Sequence, residues 1–169
     1  MPNVIGVRHV GLPAKNLTAL KAFYQDVMGM TVVRETSADA PFGATLFLVH
    51  SDGEEDHDLV FFDDPMAAHT AFEVPSLAEL KTAYREVKAR GVPIKMAVNQ
   101  GVQLSFYFED PEGHLIEIYW LTPVRNLAHR QLLPGVADPI DLDLPEEQLR
   151  REVERTLRRF GVPASATAS

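Results

Sequence analysis

Apolar and polar positions alternate with period two over Val4–Leu12. Ile5, Val7, His9 and Gly11 fall on one face, and Gly6, Arg8, Val10 and Leu12 on the other, which predicts a strand. The period then changes. Leu17, Leu20, Tyr24, Val27 and Met28 recur at helical spacing, with Asn16 placed to cap the first turn and Gly29 to stop the last. Three short apolar segments follow, Met30–Glu35, Ala44–His50 and His57–Phe62, separated by polar turns, and they predict a meander. The same order then recurs. Ala67–Val74 reads as a strand, and Ser76-x-x-Glu79 as a capping box opening a helix with Leu77, Leu80, Tyr84 and Val87 on one face. Pro93–Val98, Val102–Phe108 and His114–Trp120 read as three more strands.

A constant offset of 60 relates the two halves: His9 to His69, Leu17 to Leu77, Leu20 to Leu80, Lys21 to Lys81, Tyr24 to Tyr84 and Gly53 to Gly113. The offset slips by two at Gly29 and Gly91. The expected fold is therefore α+β: two βαβββ modules in tandem, about 4–63 and 66–122, forming a curled mixed sheet around a shared cavity. They make one domain over 1–122. Residues 123–169 form a C-terminal extension, broken by Pro134-Gly135, Pro139 and Pro145 and containing a helix over about 145–160. Asp143 is a candidate cap for that helix, and Leu149, Val153, Leu157 and Phe160 form its apolar stripe.

One position breaks the apolar pattern. Asp110-Pro111-Glu112-Gly113 is a tight turn, and the strand after it places Glu117 between Ile116 and Ile118. A carboxylate in so apolar a ribbon needs a cation, a metal or a donor beside it. The repeat supplies candidates, because pseudo-two-fold packing brings His9, His57, His69 and Glu117 to corresponding places around the cavity. On the offset of 60, Glu117 corresponds to His57. A divalent metal between His9, His69 and Glu117 is the arrangement this suggests.

Composition narrows the chemistry. The chain has no cysteine, so thiolate ligands, thiol nucleophiles and disulfides are excluded and a metal must rest on His and carboxylate. A net charge of −8 disfavours nucleic acid and anionic membrane as partners. No run approaches a membrane span and the N-terminus lacks a signal-peptide pattern, so the expected location is the cytoplasm.

These residues resemble the vicinal oxygen chelate superfamily of glyoxalases, bleomycin resistance proteins and extradiol dioxygenases. The resemblance spans about residues 4–122 and rests on His9, Asn16-Leu17, Phe23-Tyr24, Gly29-Met30, His69 and the ending Asp110-Pro111-x-Gly113-x-x-x-Glu117. It implies a divalent metal on His9, His69 and Glu117. The second module looks most like single-domain type I extradiol dioxygenases, through Phe106-Tyr107-x-x-Asp110-Pro111-x-Gly113-x-x-x-Glu117. Where that signature begins with a second histidine, this chain holds Val98, Asn99 and Gln100, so the outer support for substrate and oxygen differs.

The resemblance implies an Fe(II)-dependent ring-cleaving dioxygenase acting on a small catechol-like aromatic and O₂, with Mn(II), Zn(II) or Ni(II) as other metals of the fold. His57 reads as an acid–base group, as a fourth ligand, or as a surface histidine in an acidic run. Tyr107 reads as a donor to a substrate oxygen or as a core tyrosine. His114 falls on the opposite face from Glu117, and His50 and His129 read as surface residues. Two other readings stay open. One is a glyoxalase-like lyase, isomerase or transferase using the metal as a Lewis acid, with Glu55 as fourth ligand if the register shifts by two. The other is a drug-binding resistance protein. The C-terminal helix packs on its own domain or on a second copy, and a homodimer or higher homo-oligomer is expected.

Overall fold

A computed structural model describes residues 3–50, 57–124, 133 and 136–163. The first module runs β1 (Gly6–Pro13), α1 (Leu17–Asp26), β2 (Thr31–Thr36), β3 (Thr45–Val49) and β4 (Leu59–Phe62). A 3₁₀ turn, Pro65–Ala67, leads into the second: β5 (His69–Glu73), α2 (Leu77–Ala89), β6 (Ile94–Asn99), β7 (Gln103–Glu109) and β8 (Leu115–Leu121). The extension adds β9 (Asp138–Pro139) and α3 (Glu146–Arg159).

Local chemistry explains the helix ends. The Asn16 side chain accepts from the Ala19 N–H at 3.0 Å and Ser76 from the Glu79 N–H at 3.1 Å, each satisfying a backbone donor that its helix leaves unpaired. Asp143 does not cap α3. Pro145 holds the cap position without a side-chain bond, and Asp143 lies too far upstream, where it pairs with Lys88 at 2.7 Å. Glu146 and Glu147 in the first turn and Arg158 and Arg159 in the last complement the α3 dipole. The strand expected from Ala67 begins two residues later, because Asp64 accepts from the Met66 N–H and turns Pro65–Ala67 into 3₁₀ helix.

The nine strands form one mixed sheet in the order β2-β3-β4-β1-β5-β8-β7-β6-β9, a curled half-barrel. Its centre is the antiparallel pair β1–β5, where Val10 faces Thr70 across the pseudo-two-fold. Parallel pairs β1–β4 and β5–β8 flank it. The main apolar core lies between the second module and the extension: Leu77, Leu80 and Val87 of α2 meet Phe106, Ile118 and the α3 stripe. Leu149, Val153 and Leu157 are buried, at about 1.5–3 kcal/mol each, and hold the extension against the sheet. The two modules differ here. α2 buries five residues, whereas α1 buries none and leaves Phe23, Val27 and Met28 at least half exposed. Among the described residues, no helix is long and apolar enough to cross a membrane.

Candidate metal centre and active site

His9 comes from β1, His69 opens β5 and Glu117 lies in the middle of β8, so the three converge at the sheet's centre. Alternation places Leu115 and Glu117 on the cavity side of β8, while Ile118 and Trp120 join the core behind it. The His9 and His69 Nε2 atoms lie 3.1 Å apart. Glu117 Oε2 is 3.0 Å from His9 Nε2 and 3.2 Å from His69 Nε2. Glu117 is fully buried and His9 nearly so.

Further contacts fix which atoms face one another. His69 Nδ1 lies 2.8 Å from the Ala67 carbonyl oxygen, which can only accept, so Nδ1 carries a proton and a neutral His69 presents its Nε2 lone pair to the triad. Glu117 Oε1 accepts from the Tyr107 hydroxyl at 2.6 Å and from Gln103 Nε2 at 2.8 Å. Both of its donors therefore sit on one oxygen and both imidazoles on the other. Gln100 Nε2 donates to the Tyr107 oxygen at 3.2 Å. Gly11 lets the His69 ring approach β1, because a Cβ there would stand 2.9 Å from His69 Nδ1 and 2.8 Å from the Phe62 ring.

The electrostatics follow from this geometry. Burial pulls His69 toward its neutral form, but the Glu117 carboxylate and the Ala67 carbonyl outweigh it and raise its pKa above the ordinary value. Burial also works against the Glu117 charge, yet the bonds and attraction from His69 and His9 hold its pKa well below the ordinary carboxylate range. Burial, with the Glu117 charge beside it, pushes the Tyr107 phenol well above its usual value, so it remains a donor.

Three electron-pair donors thus point at one another from 3.0–3.2 Å, and they need a shared electrophile between them, a proton or a metal. Donors bonded to one ion at about 2.1 Å and at right angles to each other stand about 3.0 Å apart. Two imidazoles and a carboxylate on one face of a divalent ion fit the observed spacing. Among the described residues, His9, His69 and Glu117 are the group of His, Asp or Glu able to hold a metal.

The fourth corner differs from the sequence expectation. Gly11 pairs with Val60, and its counterpart Ala71 pairs with Glu117, so strand register makes Val60 the equivalent of Glu117. His57 lies three residues earlier, before β4 begins. Its buried ring packs 4.1 Å from the His9 ring and 5.0 Å from Phe47, and it borders the cavity. Tyr107 borders the cavity too, with its hydroxyl engaged by Glu117 and Gln100. His114 is exposed and pairs with Asp110 at 2.9 Å in the turn before β8, away from the site. Glu55 and His129 lie outside the described residues.

Gln103 was not foreseen, although it is buried against Glu117. Its signal was available: on β7, Gln103, Ser105 and Tyr107 share one face by alternation, so a polar face was legible there. The cavity measures about 190 Å³, with Phe42, Phe47, Phe62, Met96 and Leu115 among its apolar lining.

Residues 6–118 match the family described as the Glyoxalase/Bleomycin resistance protein/Dioxygenase superfamily. The chain is 31% identical over 122 residues to biphenyl-2,3-diol 1,2-dioxygenase 3 of Rhodococcus globerulus, covering 65% of this chain and 60% of that protein. It is 26% identical over 131 residues to the metallothiol transferase FosB of Shouchella clausii (strain KSM-K16), covering 75% and 87%. The fold is shared with the 2,2',3-trihydroxybiphenyl 1,2-dioxygenase of Sphingomonas wittichii strain RW1, at a TM-score of 0.59 and 21% identity over 68% of this chain and 42% of that one. It is also shared with the Mn(II)-bound glyoxalase of Novosphingobium aromaticivorans, at a TM-score of 0.58 and 17% identity over 94% and 53%. The match thus spans 60% of the length of the curated dioxygenase.

Proposed function

The chain belongs to the glyoxalase/bleomycin resistance protein/dioxygenase superfamily, and from that premise we propose that it is an Fe(II)-dependent extradiol dioxygenase cleaving a single-ring, catechol-like aromatic with O₂. The observation that carries the reading is the triad of His9, His69 and Glu117 in a cavity with an apolar, aromatic wall. Bound Fe(II) supplies an electron path between an electron-rich diol and O₂, the use to which non-haem oxygenases put two histidines and a carboxylate.

The remaining work falls to this chain's own groups. The Ala67 carbonyl keeps the proton on His69 Nδ1, leaving Nε2 as the ligand atom. Tyr107 and Gln103 clamp Glu117 through Oε1 and leave Oε2 for the metal. His57, whose ring packs 4.1 Å from the His9 ring at the cavity wall, is in this reading the base that takes a proton from a substrate hydroxyl. Size supports a single ring: a cavity of about 150 Å³ accommodates benzene, and this one measures about 190 Å³. The exposed α1 face, with Phe23, Val27 and Met28, is the surface through which two copies associate.

The test is oxygen uptake. Protein purified without oxygen and loaded with Fe(II) is mixed with a panel of catechols, then exposed to O₂. Uptake with formation of a yellow product is expected. No uptake with any catechol overturns the dioxygenase reading. A second reading, a transferase or lyase using the metal as a Lewis acid, is favoured by the 87% coverage of the FosB transferase. Val60, which has no donor atom, stands at the corner where that chemistry draws a fourth ligand.

A further inference from the structure

The C-terminal extension contributes to two adjoining spaces. Leu133 and Val136 border the metal cavity. Ala137, Pro139 and Ile140 border a second groove of about 430 Å³. Its other walls are β6, over Met96–Val98, and the pair Pro41 and Phe42 between β2 and β3. Pro41, Phe42 and Met96 border both spaces, so the groove continues the cavity at these three residues. The family match ends at residue 118, and the extension's share of both walls lies beyond it.

The groove is held in shape from behind. β9 pairs with β6 at Val98 and Asn99, and the Ile140 N–H donates to the Ala97 carbonyl at 3.0 Å. Asn99 Nδ2 donates to Thr156 Oγ1 at 3.0 Å, and that hydroxyl donates to Asp138 Oδ2, also at 3.0 Å. Arg159 adds a bond to the same carboxylate oxygen at 2.7 Å. Asn99 and Thr156 are buried. The network joins α3, β9 and β6 without touching the triad. A groove fixed in this way is formed before a ligand arrives, so binding there costs little ordering.

The described residues that border the groove are all apolar. Their side chains offer no hydrogen bond, so a polar group entering would lose its hydration uncompensated. Hydrocarbon is favoured instead, at about fourfold in affinity for each methylene buried. A ring already takes up most of the metal cavity: benzene occupies a cavity of about 150 Å³, against about 190 Å³ here. A substituent longer than a methyl group therefore has to leave the cavity, and the border at Phe42 and Met96 leads into the groove.

We propose that the extension and β6 form an apolar subsite beside the metal cavity, so that the ring bound in the cavity carries a hydrocarbon substituent lying along Met96, Ala137 and Ile140. The diol of that ligand rests on the reading in the preceding subsection; the substituent does not.

The test uses 4-alkylphenols, which lack the vicinal diol, in calorimetric titrations of the metal-free protein. 4-Propylphenol should bind at least about tenfold more tightly than 4-methylphenol, the scale of two buried methylenes. Ala137→Phe, which fills the groove, and Ile140→Asn, which makes it polar, should each bring that ratio down to about threefold or less. A native ratio near one overturns the proposal. So does a ratio that survives in either variant with its melting curve intact, which would place the alkyl chain elsewhere. Native self-association that Ala137→Phe abolishes while the ratio stays unchanged assigns the groove to a second copy and also overturns it. With Fe(II) bound, the ratio of kcat/KM for 4-propylcatechol over 4-methylcatechol should fall at least about threefold in Ala137→Phe. The two readings fail separately. A gain with alkyl length but no oxygen uptake removes the dioxygenase and keeps the subsite; oxygen uptake without that gain does the reverse.

Discussion

Replacing Glu117 by Gln separates a metal ligand from a structural ion pair. In the native protein Oε1 accepts two bonds, from Tyr107 and Gln103, and Oε2 faces two imidazole nitrogens. A glutamine of the same shape keeps its oxygen toward Tyr107 and Gln103 and turns its NH₂ toward the two imidazoles, where the Nε2 lone pair of neutral His69 accepts from it. Every bond is retained, so above the raised His69 pKa the metal-free fold should lose no more than about 1 kcal/mol, or about 2–4 °C in Tm for a chain of this size. The metal effect should disappear. A native protein at a hundredfold excess of ligand over Kd gains about 2.7 kcal/mol, or about 5–11 °C. Thermal melts with and without Mn(II) or Fe(II), at pH 8 under argon, measure both quantities. If Glu117 instead held two cationic imidazoles for stability alone, removing its charge would cost about 3–5 kcal/mol, or about 6–20 °C. A metal-free Tm lowered by that much, or a metal shift undiminished in E117Q, would refute the reasoning.

Three further outcomes are expected. Metal affinity should be flat above the raised His69 pKa and fall by up to about tenfold per pH unit below it, because the ion must displace a proton from His69 while Glu117 stays ionised; Co(II) titrations from pH 8 to pH 5 that show no slope contradict this. The sign for metal-free stability is opposite: a raised His69 pKa contributes stability that is present at low pH and lost as pH rises through it. Tyr107→Phe and Gln103→Leu should each lower metal affinity or activity about 10–100-fold, and the double variant should depart from additivity, since both donate to Glu117 Oε1. The proposed α1 interface predicts that the native protein sediments as a dimer and Phe23→Glu with Val27→Glu as a monomer with its melting curve intact; a native monomer, or an unchanged dimer in the variant, would remove α1 as the interface.

Local periodicity and the internal repeat made much of this molecule legible. Alternation over Val4–Leu12 and Leu115–Trp120 gave the strands of His9 and Glu117, the Asn16 and Ser76 caps gave the helix starts, and the repeat joined His9 to His69. These features depend on neighbours a few residues apart, or on one offset held across both modules, and a single chain displays them. The fourth corner was not legible, because backbone pairing between distant strands sets it. A register difference of three residues decides whether His57 or Val60 is the counterpart of Glu117, and the β1–β4 pairing selects Val60. The His69 tautomer is set by the 3₁₀ turn before β5, where a longer strand was expected. The clamp on Glu117 unites β7 and β8, and two bulges that no periodicity announces turn Arg34 and Met96 to the cavity. The sequence by itself determined the modules and the three converging side chains, because burial pattern and repetition are written in residue spacing. Only the tertiary structure decided which atoms face the metal position, and with what protons and charges around them, because cross-strand register and hydrogen-bond partners exist only once the sheet has closed.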